Sequence, residues 1–186
     1  MNISLNWLKE YVDINIDEEE LAHELTMAGI TVEGIERVGA DCIFELDLTP
    51  NRGDCLGLIN IAREVSAITN NELKLPVIEI KENHEDISDY IKIDIADQDL
   101  CKRYAARVIK NVQIEPSPNW LQEALTNSGI RPVNNVVDIT NYVMLETNQP
   151  LHAFDYDLLA SKRILVRRAK NGEEIVTLDE SKRILD

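Results

Sequence analysis

Cys42-Ile43-Phe44-Glu45-Leu46-Asp47-Leu48 alternates so that Cys42, Phe44, Leu46 and Leu48 fall on one face, the period of two that marks a strand with a buried side. Upstream, residues 30–38 read as a second strand, and Gly39 suits the turn that folds the two into an antiparallel hairpin. Outside the hairpin the period becomes that of helices. Asp17 with Glu20 three residues later has the acidic form of a capping box, Ile16 and Leu21 occupy the staple positions, and Gly29 closes the helix. Residues 4–12 read as a shorter helix with Leu5, Leu8 and Val12 on one stripe beside Trp7 and Tyr11. Downstream, Thr49-Pro50-Asn51-Arg52-Gly53-Asp54 gathers turn formers, with Asp54 an N-cap candidate for a helix carrying Leu58, Ile61, Ala62, Val65 and Ile68 inward. Strands set among helices predict an α+β fold, opening with a small helix and antiparallel-sheet domain over residues 1–75.

The helical pattern stops around Asn70 to Pro76, and the charged, proline-punctuated stretch that follows suits a connection between domains. A boundary near residue 76 leaves 76–186 as a second, mixed α/β domain. There Ile91, Ile93 and Ile95 alternate with Lys92 and Asp94, and residues 104–109 read as another strand. Ser117-Pro118 has the N-cap and N1 order for a helix with Trp120, Leu121, Ala124 and Leu125 inward and Gly129 at its end. Residues 136–145 are apolar on nearly all sides, which predicts a buried helix whose Asp138, Thr140 and Asn141 need partners. Three more strands are expected over 164–168, 174–178 and 182–185, joined by turns at Asn171-Gly172 and Asp179-Glu180.

Among 186 residues, 34 acidic against 19 basic side chains give a formal charge of −15, the wrong sign for an independent electrostatic grip on phosphates. The N-terminus lacks the basic-then-apolar pattern of a secretory signal, and no apolar run is long enough to span a bilayer, so a cytoplasmic protein is expected. Cys42, Cys55 and Cys101 have no C-x-x-C spacing and do not approach His23, His84 or His152 in a zinc-like pattern, so free thiols and no metal are expected. No P-loop or dinucleotide fingerprint is present.

Three blocks in order carry a resemblance: Ile3-Ser4-Leu5-Asn6-Trp7-Leu8 with Leu25-Thr26-Met27-Ala28-Gly29; Glu45-Leu46-Asp47-Leu48-Thr49-Pro50-Asn51-Arg52-Gly53-Asp54; and Gly129-Ile130-Arg131-Pro132 through Asn135-Val136-Val137-Asp138-Ile139-Thr140-Asn141-Tyr142-Val143-Met144 to Gln149-Pro150-Leu151-His152-Ala153-Phe154-Asp155. Together they resemble the β subunit of bacterial phenylalanyl-tRNA synthetase. The resemblance covers essentially the whole chain. It implies an N-terminal structural domain and the first part of a B3/B4 editing domain. The family's OB-fold tRNA-binding module, inserted after the segment matching Val32-Glu33-Gly34-Ile35-Glu36, is missing here. The family also implies an α-subunit partner in an α2β2 assembly, tRNA(Phe) as substrate, and ATP with Mg2+ for the complete synthetase, whose aminoacylation site is on the α subunit. No membrane or DNA partner is implied.

The resemblance places an editing pocket, where tyrosine wrongly esterified to tRNA(Phe) is hydrolysed, at Thr140, Asn141, Pro150 and His152. The acidic group that reads the tyrosine hydroxyl comes from a part of the family's domain beyond Asp186. His152 is the candidate for positioning or activating water, or for orienting the terminal ribose, since imidazole both donates and accepts near neutral pH. As a lone histidine beside Pro150, Leu151 and Phe154 it also has a purely structural reading. Thr140 and Asn141 suit bonds to substrate or caps for neighbouring backbone. The 47–54 segment reads as structural, with Arg52 tying carbonyls or carboxylates together, while Arg167, Arg168 and Lys170 suit a solvated strand end or a phosphate contact. The competing functional reading is a non-catalytic acidic module that binds another protein through the same fold. A free-standing trans-editing hydrolase would need a closed pocket around His152.

Overall fold

The computed structural model describes residues 1–177 and 180–185. Leu178, Asp179 and Asp186 lie outside the described residues, and with them the end of the strand expected over 174–178 and half of the turn expected at Asp179-Glu180. The elements confirm an α+β fold.

The hairpin forms as its alternation requires. A three-stranded antiparallel sheet of β1 (Asn2–Ser4), β2 (Thr31–Val38) and β3 (Asp41–Asp47) runs in the order β1-β3-β2. Phe44 in the central strand faces Ile3 on one side and Ile35 on the other. β1 takes Ser4 from the expected 4–12 helix, and at the other end Val12 bridges Leu73 while Lys74 N donates to Tyr11 O, which leaves α1 as Leu5–Leu8. Ser4 then caps α1, its Oγ accepting from Trp7 N at 3.0 Å. The capping reading of Asp17 holds for α2 (Glu18–Met27), where its carboxylate accepts from Glu20 N at 2.8 Å. Gly29 closes α2 at φ +94°, with Ile30 N donating to Leu25 O and Gly29 N to Thr26 O, a Schellman motif.

Asp54 does not cap the next helix. Residues Pro50–Leu56 form a 3-10 segment, and α3 (Leu58–Thr69) starts from Gly57 with no side-chain cap. The cap reading fails because Asp54 is taken by Arg52. Ile3, Leu5, Leu8, Val12, Leu21, Leu25, Phe44, Leu46, Leu58, Ile61 and Val65 meet in one core. Each large apolar side chain so buried contributes about 1.5–3 kcal/mol.

By compactness the chain divides into two units, Met1–Ile80 with Gln113–Ala153, and Lys81–Val112 with the described residues from Phe154 onward. This division differs from the linear boundary near residue 76: composition marks the exposed linker but not the return of the chain at 113 to the first core. The first unit includes α4 (Asn119–Asn127) and α5 (Asn135–Thr147). α4 begins one residue later than expected, with Pro118 as N-cap, because Ser117 turns its hydroxyl to Asp138 instead. Leu121 and Leu125 are buried as expected, but Trp120 is 59% exposed and lies edge-on to Tyr142 with ring centroids 5.5 Å apart. Nor is α5 buried all round. It packs against α3 and α4 along one side and leaves Val137 and Ile139 exposed.

In the second unit β4 (Lys92–Ile95) pairs in parallel with β5 (Arg163–Val166), and β6 (Glu173–Val176) pairs antiparallel with β7 (Lys182–Leu185). Residues 104–109 form no strand; they have no ladder partner, and Arg107 and the neighbouring Lys110 reach instead to Glu82 and Glu85. Among the described residues, no side chain of this unit belongs to the buried class.

Candidate functional site

All four candidate residues lie on α5 or on the loop that leaves it, so the helix ends decide where they stand. At its start Asn134 is the N-cap, accepting from Val136 N and Val137 N at 3.1 and 3.0 Å. One turn later Asp138, fully buried, accepts from Ser117 Oγ at 2.5 Å and from Val133 N at 2.8 Å. A carboxylate with two such donors is a hub that sets the 131–134 loop and the entry to α4 on α5. It answers the partner expected for Asp138 from sequence.

Thr140 and Asn141 follow on the half-buried middle of the helix. Thr140 Oγ1 donates to Val137 O at 2.7 Å, so its hydroxyl already has a backbone acceptor. Beside them Tyr142 stacks on Trp7 with ring centroids 4.4 Å apart. Burial, with help from the carboxylates of Glu146 and Glu10, pushes the Tyr142 phenol up to about 12. Tyr11 donates to Glu146 and is raised as well, first by burial and then by that bond. These pairs pin the inner side of α5 and take no part in the candidate site.

Asn148 ends the helix in the left-handed region at φ 60°. Its N–H closes on Met144 O at 2.9 Å, while its Nδ2 donates to Gly53 O at 2.8 Å. Pro150 and His152 come next, both exposed, and His152 is bonded or in contact with a neighbour. The four candidates therefore share one element and its exit. A cleft of about 300 Å³ is lined by Asn15, Ile16, Glu20, Glu24, Ile68, Thr69 and Asn71, and another of about 280 Å³ by side chains of α4; neither includes a candidate residue. Sequence reading missed Asn148 and Gly57. The signal for Asn148 was available, since asparagine tolerates the left-handed turn after a helix.

Two charged clusters resolve otherwise than as ligand sites. Ligand atoms of Asp54, Cys55 and Glu64 converge closely enough for a metal. The cation they meet is Arg52, whose Nη2 lies 3.0 Å from Asp54 Oδ2, 2.9 Å from Cys55 Sγ and 2.6 Å from Glu64 Oε1. These residues do not fit a metal. The guanidinium holds Asp54 down at about 2, and burial pushes the Cys55 thiol up to about 11. In the second unit Arg167 grips Glu173 through two bonds and Arg168 grips Asp97 and Asp99. Both arginines of the run are thus paired with carboxylates, which suits the reading of a solvated strand end. The helices among the described residues are all too short or too polar to cross a membrane.

Residues 100–186 match the family model described as the B3/4 domain, which gives the class: the chain carries sequence of a B3/4-containing protein. The relatives are more particular. The chain is 45% identical over 179 residues to the phenylalanine–tRNA ligase β subunit of Rhodopirellula baltica, which covers 96% of this chain and 26% of that protein. It is 54% identical over 159 residues to that of Geobacillus kaustophilus, covering 85% and 20%. It is 55% identical over 145 residues to that of Fusobacterium nucleatum, covering 78% and 18%. The chain belongs to the bacterial phenylalanine–tRNA ligase β-subunit family. It spans about a quarter or less of the length of these relatives.

Proposed function

We propose that this chain is part of the β subunit of a phenylalanine–tRNA ligase, the enzyme that charges tRNA(Phe) with phenylalanine using ATP and Mg2+, and that its α5 region contributes to hydrolysis of mischarged Tyr-tRNA(Phe). The observation that carries the reading is the 45% identity sustained over 179 residues. The acidic-adaptor reading is not favoured, because that identity is to ligase subunits across nearly the whole chain. In this proposal the α subunit is the partner, the assembly is cytoplasmic, and ATP and Mg2+ serve the complete enzyme at a site away from this chain. Residues 1–75 form the structural domain and 76–186 the first part of the editing domain, although α4 and α5 pack into the first compact unit. The absence of any buried side chain among the described residues of the second unit supports the view that this domain needs further chain to complete its core.

The chemistry is ester hydrolysis. His152 holds or deprotonates the attacking water, or orients the terminal ribose; Asn141 offers an amide to the aminoacyl-ribose; Thr140, whose hydrogen is given to Val137 O, offers its oxygen as an acceptor. Pro150 fixes the path of the chain into His152. Tyrosine is selected because a site that bonds a phenol leaves buried polar groups unpaired when phenylalanine enters. The test is deacylation of Tyr-tRNA(Phe) by the complete β subunit with its α partner. His152→Ala should lower deacylation at least tenfold while phenylalanine charging is unchanged. Full editing by that variant would assign His152 to the framework.

A further inference from the structure

We propose that the Pro50–Leu56 segment and Gly57 are positioning elements for the Gln149-Pro150-Leu151-His152 exit of α5, so that a loop far away in sequence sets the candidate histidine. The inference rests on the editing role proposed for His152, and its geometric half stands without it.

Gly57 is extended, with φ −117°, so its backbone does not call for glycine. Space does. A Cβ at Gly57 would stand 2.6 Å from Asn148 N, 2.9 Å from Asn148 Cβ and 3.0 Å from Thr147 C. Two of those atoms are backbone at the end of α5, so no side chain can swing aside to make room. On the same side Asn148 Nδ2 donates to Gly53 O across 95 residues of sequence. The end of α5 is thus both butted against Gly57 and tied to Gly53.

The seat itself is rigid. Arg52 binds Asp54, Cys55 and Glu64, the last on α3, and Asn60 Nδ2 donates to Asp54 O at 2.8 Å. Cys55 and Leu58 are buried in the core on either side of the loop. Motion of the core is therefore not needed to move His152; displacement of Asn148 suffices, because only three residues separate them. Relieving a 2.6 Å approach to ordinary contact shifts the helix end by about 1 Å, and misplacement of that size at a reacting group costs on the order of 100-fold in rate.

The experiment uses the complete β subunit with its α partner. Gly57→Ala drives the helix end away, and Asn148→Gly keeps the left-handed turn while removing the tie to Gly53. Val65→Ala, a truncation of the common core, is the control for general loss of stability. Three readouts are taken: Tyr-tRNA(Phe) deacylation, phenylalanine charging, and hydrogen exchange of peptides covering residues 145–153. Both positioning variants are expected to lose about 10- to 100-fold in deacylation, to keep charging, and to exchange faster at 145–153 than wild type, with Val65→Ala showing none of this at the assay temperature. Wild-type exchange at 145–153 in both variants overturns the proposal. So does unchanged deacylation in an enzyme where His152→Ala abolishes it. If His152→Ala leaves editing intact, the functional reading fails instead, and selectively faster exchange still supports the seat.

Discussion

Replacing Asp138 by alanine removes the one buried carboxylate of the first unit, and the structure allows its cost to be worked out. The side chain accepts two hydrogen bonds, from Ser117 Oγ and Val133 N, and bonds to a charged acceptor contribute about 1.5–3 kcal/mol each. Val133 is exposed, so its N–H can recruit water once released, while Ser117 is only 5% exposed and its hydroxyl is stranded. The lower end of the range applies, giving about 3–4 kcal/mol for Asp138→Ala. Asp138→Asn keeps an oxygen for Val133 N and an amide that Ser117 can accept from, so only the charge assistance is lost, about 1–2 kcal/mol. Urea unfolding followed by tryptophan fluorescence measures both. With a slope of about 2 kcal/mol/M the midpoint falls by about 1.5–2 M for alanine and by about 0.5–1 M for asparagine. Ser117→Ala added to Asp138→Ala should recover part of the loss, because it removes the stranded hydroxyl. A midpoint for Asp138→Ala within 0.5 M of wild type would refute the hub, and an asparagine variant worse than alanine would refute the role given to its geometry.

Glu173 and Asp54 are both held at about 2 by their arginines, below the usual value of about 4, so their contribution to stability is present above that usual value and is lost as pH falls toward 2. Carboxyl NMR titration should show Arg167→Ala returning Glu173 to the ordinary range; a midpoint still near 2 sinks the assignment. Tyr142 should ionise only at about 12, and since its folded value is raised, stability is lost as pH climbs above about 10, where the unfolded phenol ionises. Absorbance at alkaline pH checks this, and Tyr142→Phe should delete that step. With an aromatic disulfide reagent, half-buried Cys101 should react first and buried Cys42 and Cys55 only on unfolding. Loss of the fast phase in Cys101→Ser is the check, and a persisting fast phase contradicts the burial of the other two.

The parts of the fold that could be read from sequence are those where one local rule acts alone. The 42–48 alternation, the capping at Asp17 and the glycine exits at 29 and 129 each specify a conformation through neighbours a few residues away. The failures are positions where a distant residue claims a group the local rule had assigned. Asp54 and Ser117 both have cap chemistry, yet Arg52 takes one and Asp138 the other, because an ionic or buried partner outweighs a cap of about 1 kcal/mol. β1 is three residues long and exists only because β3 offers an edge, which no local period reveals. Likewise residues 104–109, which read as a strand, pair with no ladder among the described residues.

The candidate site shows the same division. Its residues were found through a resemblance, since a histidine after a proline-containing helix exit carries no chemical signal of its own. What the structure adds is the set of groups that hold them. Asp138 fixes the start of α5, Tyr142 and Glu146 fix its inner side, and Asn148 fixes its end. Each of these fixing contacts spans from a few to more than a hundred positions in sequence, and each uses a residue whose local reading was neutral or different. The 47–54 segment reads as structural because proline, glycine and Arg52 account for its turn. That chemistry does explain the turn, and the turn is what the end of α5 rests on. A structural residue and a functional one are therefore not alternatives at Gly57. The glycine is needed because of what stands against it, and what stands against it leads, in four residues, to His152.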